Sequence, residues 1–165
     1  MAVAADRMVR MGEWHVEADP DGRVACIGLG SCIGLALLDR RTSVAGVAHV
    51  MLPTAGDREV DRPYKYADLA VPALVEAVLA AGGGRHRLEA VLAGGAEMFA
   101  RSGQEIGARN ADAVTRALAA QRIRVRVQRT GGSKGRTLTV LVGPGEVTCR
   151  EAGGRDELLL GGHAA

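Results

Sequence analysis

Two apolar segments, residues 33–38 and Val44–Val50, stand either side of the polar run Asp39-Arg40-Arg41-Thr42-Ser43, and few folds bury both. Segments of strand length separated by a short polar turn fold back on each other as an antiparallel pair. That pairing has a chemical consequence. Cys32 immediately precedes the first segment and His49 lies at the end of the second, so the hairpin carries a thiol and an imidazole to one end of a sheet. An imidazole beside a thiol can take its proton, which activates sulfur for attack on a carbonyl carbon.

A buried, inert cysteine and a packed histidine are the ordinary reading of two such residues. The glycines of Gly28-Leu29-Gly30-Ser31-Cys32-Ile33-Gly34 weigh against it. Glycine within a strand pattern weakens the strand and marks a bend or the close approach of another molecule. A bend at Gly30 aims the amides of Ser31 and Cys32 toward one point, the arrangement that stabilises the oxyanion of acyl transfer. The candidate site is therefore Cys32 and His49, with the backbone of Gly30 and Ser31 beside them.

The chain of 165 residues suits one domain with a single core. Its 21 Lys and Arg nearly balance 19 Asp and Glu, for a net charge of +2, so no broad basic field is expected to attract nucleic acid or an anionic membrane. Aromatic residues make up 2% of the chain, too few for base-stacking platforms. Cys26, Cys32 and Cys149 are odd in number and form no CxxC pair, which argues against zinc and for a reducing cytoplasm. Asp6 and Arg7 interrupt the N-terminus too early for a secretory leader, and no apolar run approaches the roughly 20 residues of a membrane span.

Arg23–Leu29 reads as a strand ahead of the hairpin, and residues 53–65 as a polar loop beside the site that could serve as a lid. Val71, Leu74, Val75, Val78 and Leu79 recur at helical spacing within 68–81, with Asp68 as N-cap and Gly82-Gly83-Gly84 as the stop. Residues 88–93 form a short buried strand. A second helix is expected over 110–121, capped by Asn110, with Val114 and Leu118 turned inward. Ile123, Val125 and Val127 alternate with Arg122, Arg124 and Arg126, a strand whose arginine face meets solvent. Strands over 137–142 and 146–150 come next, joined by Gly143-Pro144-Gly145. Residues 11–150 make the core, and 151–165 read as a flexible tail.

Six blocks, taken in order, carry a resemblance. They are Gly28-Leu29-Gly30-Ser31-Cys32, Ala48-His49-Val50-Met51-Leu52-Pro53, Lys65-Tyr66-Ala67-Asp68, Gly94-Gly95-Ala96-Glu97-Met98-Phe99, Ile106-Gly107-Ala108-Arg109-Asn110, and Gly131-Gly132 with Gly135-Arg136. Together they resemble the chemoreceptor glutamine deamidase family, CheD, over about residues 11–150. The resemblance implies an α+β fold, a layered β/β/α sandwich with antiparallel or mixed sheets and two main helices on one side. It implies hydrolysis of selected glutamine amides on methyl-accepting chemotaxis receptors, with no metal or organic cofactor, and a CheC-type phosphatase as a second partner.

By position, the resemblance makes Cys32 the nucleophile and His49 the general base, in agreement with the hairpin argument. The family pattern has threonine six residues before the nucleophile, where this chain has Cys26. Sulfur accepts hydrogen bonds poorly, so Cys26 is expected to orient His49 less firmly than a hydroxyl would, and to slow the reaction. A second reading stays open, in which the chain is a regulator that binds the phosphatase and relies little on chemistry.

Overall fold

A computed structural model describes residues 6–98 and 105–161. Phe99, at the end of the Gly94 block, lies outside the described residues, as do residues 1–5 and residues 162–165 of the expected tail, His163 among them. The chain runs through β1 (Asp6–Val9), β2 (Trp14–Glu17), β3 (Arg23–Leu29), β4 (Ile33–Asp39), β5 (Val44–Val50), α1 (Ala67–Ala80) and β6 (Glu89–Gly94). It continues through α2 (Ile106–Ala120), β7 (Arg124–Thr130), β8 (Arg136–Leu141), β9 (Glu146–Glu151) and β10 (Asp156–Leu160). One sheet has the order β1-β3-β8-β9-β10 and the other β2-β5-β4-β6-β7.

The layering arises from residue parity on the central strands. Every residue of β4 and β5 is buried, which explains why both segments read as nearly continuous apolar runs. Ala36, Leu38 and Val47 face the first sheet and pack with Val24, Leu138, Val140 and Val147. Leu35, Leu37 and Val50 face the opposite way and pack with Leu74, Val75 and Val78 of α1 and Val114 and Leu118 of α2. Successive side chains of a strand point to opposite faces, so one hairpin supplies both cores. The α+β, β/β/α expectation is met, with both helices on the outer face of the second sheet.

Several local expectations are corrected. The start of α1 has Tyr66 at its N-cap without a side-chain bond. Asp68 lies in the first turn, and its Oδ1 accepts the Ala55 amide at 3.0 Å, tying the loop after β5 to the helix. α2 begins at Ile106, so Asn110 is inside the helix and fully buried rather than capping it. Its first turn is capped from outside, by Glu97 Oε1 accepting the Ala108 amide at 3.1 Å. Strands β1 and β2 precede the first strand expected from the sequence. Each has four residues, too few for an apolar period to show, and they pair with β3 and β5. The region expected as a flexible tail supplies β10, which pairs antiparallel with β9 and buries Leu160. Among the described residues no helix is long and apolar enough to cross a membrane.

Candidate active site

The bend Gly30-Ser31-Cys32 carries the chain out of the first sheet and into the second, because β3 belongs to one and β4 to the other. A register shift between Cys26 and Leu29 precedes it, with Gly28 at φ +72°. Such a bulge twists a strand locally and re-aims the residues beyond it. The carbonyls of the bend are all held. Gly30 O accepts the Ala96 amide at 2.9 Å, Cys32 O accepts the Gly95 amide at 2.9 Å, and Ser31 O accepts Asn110 Nδ2 at 2.9 Å. In a planar trans peptide the N–H points away from the preceding C=O. Fixing the Gly30 and Ser31 carbonyls therefore fixes the opposite directions of the Ser31 and Cys32 amides.

β4 and β5 pair with Gly34 opposite His49. Directly paired residues share a face, and Cys32 precedes Gly34 by two, so Cys32 and His49 are diagonal neighbours on the face turned toward the first sheet. Backbones in that relation are about 7–8 Å apart, within reach of an imidazole. Cys26 reaches the same place from β3, its Sγ lying 3.2 Å from where a side chain on Gly34 would begin. The structure thus collects Cys32, His49, Cys26, Gly30 and Ser31 at one end of the space between the sheets. All three cysteines are free thiols.

Cys32 is 9% exposed and His49 is not exposed at all, so solvent meets the sulfur before the ring. Burial pushes the Cys32 thiol up. Burial pushes His49 down, outweighing the Val9 carbonyl and the Glu13 charge, which favour its protonated form. Both shifts favour the neutral forms, thiol and imidazole. Neither ring nitrogen of His49 has a hydrogen-bond partner among the described residues, the Val9 carbonyl attracting the ring without bonding geometry. No hydrogen bond joins Cys26 to the ring, and the Cys26 thiol is pushed far up by burial and then by the nearby Cys32.

A buried histidine with a lowered pKa ties stability to pH in a definite direction. Between its folded and unfolded values the unfolded chain binds more protons, so stability is complete above about pH 6.5 and declines below it. Wild-type protein should lose more urea resistance than His49→Gln between about pH 7.5 and 5.5, and equal losses would refute the assignment.

A cavity of about 510 Å³ lies at the other end of β4, lined by Asp39, Arg40, Arg87, Glu89 and Arg126 among others. Its charges are largely spent on one another, through Arg87–Asp39 at 2.9 Å, Arg40–Glu89 at 3.1 Å and Arg126–Glu89 at 2.9 Å. Strand geometry puts it about 20 Å from Cys32, too far to share chemistry with it. Arg126 is thus ion-paired, while Arg124 of the same row is exposed as expected. Among the described residues no three His, Cys, Asp or Glu side chains cluster as metal ligands.

Sequence reasoning missed Gly95, Ala96 and Asn110 as supports of the bend. Asn110 carried a usable signal, since it falls on the same helical stripe as Val114 and Leu118 once the helix is extended one turn back.

The family described as CheD chemotactic sensory transduction matches residues 51–151. The chain is 40% identical over 154 residues to the chemoreceptor glutamine deamidase CheD of Thermotoga maritima, covering 93% of this chain and 97% of that protein. A stretch of that extent takes in both Cys32 and His49. It is 43% identical over 157 residues to a probable chemoreceptor glutamine deamidase CheD of Symbiobacterium thermophilum, covering 91% of this chain and 95% of that protein. A probable chemoreceptor glutamine deamidase CheD of Clostridium botulinum strain Alaska E43 is 43% identical over 137 residues, covering 80% and 85%.

Proposed function

This chain belongs to the CheD family, and on that premise we propose that it hydrolyses the side-chain amides of selected glutamines on methyl-accepting chemotaxis receptors, in the cytoplasm, by cysteine chemistry. The observation that supports the mechanism is the β4–β5 register, which makes buried His49 and Cys32 diagonal neighbours on one face of the second sheet.

In this mechanism His49 takes the Cys32 proton as sulfur attacks the glutamine side-chain carbon. The C=O electrons move to oxygen, and the amides of Ser31 and Cys32 face the resulting oxyanion. His49 then gives the proton to nitrogen, the C–N bond breaks, and ammonia leaves a thioester on Cys32. Water enters next. His49 removes its proton, hydroxide adds to the thioester, and as the C–S bond breaks His49 returns the proton to sulfur, which releases glutamate and restores the thiol. The lowered pKa of His49 suits this sequence, because a neutral imidazole is the competent base. No cofactor takes part.

Incubation with a receptor cytoplasmic fragment should raise the mass of specific glutamine peptides by about 1 Da, as NH₂ is exchanged for OH. Unchanged peptide masses after long incubation with active substrate would overturn the proposal.

A further inference from the structure

Asn110 is a buried polar residue that the mechanism of Cys32 and His49 does not employ. It sits inside α2 with no exposure, where asparagine is a poor helix former and an apolar residue would pack at less cost. Its two Nδ2 hydrogens go to two separate segments, Ser31 O at 2.9 Å and Met51 O at 2.9 Å. The first carbonyl belongs to the peptide whose N–H is that of Cys32. The second lies two residues beyond His49. One side-chain amide on the helical layer thus spans from the bend that carries the thiol to the strand that carries the imidazole.

From this bridging geometry we infer that Asn110 is a positioning residue for the reaction, holding the Ser31–Cys32 peptide so that the Cys32 N–H faces the oxyanion. The inference rests on the deamidase reading. The Ser31 carbonyl is drawn toward α2, and planarity of the peptide sends the Cys32 N–H the other way, toward the space between the sheets. The bond to Met51 keeps the same helix in register with the end of β5. Without Asn110 the peptide is free to rotate, and the amide leaves its line while the thiol stays in place.

The test separates those two effects. Alkylation of Cys32 by iodoacetamide displaces iodide and forms no oxyanion, whereas deamidation does. Asn110→Ala should lower kcat about 10²- to 10³-fold, the usual effect of losing one oxyanion donor, while KM and the alkylation rate stay within about threefold of wild type. Asn110→Asp keeps the shape and volume but presents oxygen to two carbonyl oxygens. Its carboxyl can donate one hydrogen bond only when protonated, so its activity relative to wild type should recover as pH is lowered. Equal losses of kcat and alkylation in Asn110→Ala would reduce the residue to a structural role and overturn the inference. So would wild-type kcat in Asn110→Ala at any pH, or in Asn110→Asp at neutral pH and above. A wild-type protein that leaves receptor peptides unaltered would instead sink the deamidase reading itself.

Discussion

Cys32→Ala is expected to abolish deamidation, lowering the rate by at least about 10⁴-fold, since the bond-forming atom is lost and the remaining donors have nothing to stabilise. The substitution removes a single sulfur at the rim of the buried core, so the fold should survive with a melting temperature within a few degrees of wild type. That combination makes the variant a clean separation of chemistry from binding. If the chain also acts by holding a CheC-type phosphatase, the second reading of its sequence, Cys32→Ala should retain that association while receptor peptides keep their mass. Residual deamidation above about a tenth of wild type would mean that another group attacks the amide, and the proposed mechanism would fall.

Gly94→Ala is expected to produce the largest loss of stability from a single methyl group. Gly94 ends β6 at φ +114°, a conformation L side chains rarely adopt, and a Cβ added there would overlap the carbonyl oxygen of Cys32. Strained backbone and forced overlap each cost about 1–3 kcal/mol, so a total of about 2–6 kcal/mol is expected. In a chain of this size that is a fall of roughly 5–20 °C in melting temperature. The overlap also pushes the Cys32 carbonyl away from the Gly95 amide, so whatever protein folds should be slower as well as weaker. The Gly94 carbonyl is separately held, by Arg136 Nη1 at 3.0 Å and the Gly131 amide at 3.2 Å, which leaves the strand end little room to yield. A Gly94→Ala variant with wild-type stability would show that this junction is softer than its contacts imply.

Much of this architecture is legible in residue order, for identifiable reasons. The β4–β5 hairpin announces itself because both strands are buried on two faces, and parity alone then puts Cys32 and His49 on one of them. The helices show through periodicity, as Val71, Leu74, Val75 and Val78 form an unbroken stripe. Features that depend on distant partners escape. Asp68 and Asn110 both have cap chemistry, and their real acceptors and donors lie in other elements, at Ala55, Ser31 and Met51. β1 and β10 are mostly exposed and owe their strand form to neighbours supplied by β3 and β9. The supporting role of Gly95 and Ala96 is carried by backbone amides, which leave no trace in side-chain pattern.

The bend at Gly30-Ser31-Cys32 is a seam between layers, and side chains from every one of them meet at it. Cys26 arrives from the first sheet, His49 from the second, and Asn110 from the helices. A chain that has assembled only two of the three possesses all the same residues without their alignment. The amide chemistry proposed above would therefore need all three layers in place at once, so its onset would report completed assembly of the fold and not the presence of the thiol alone.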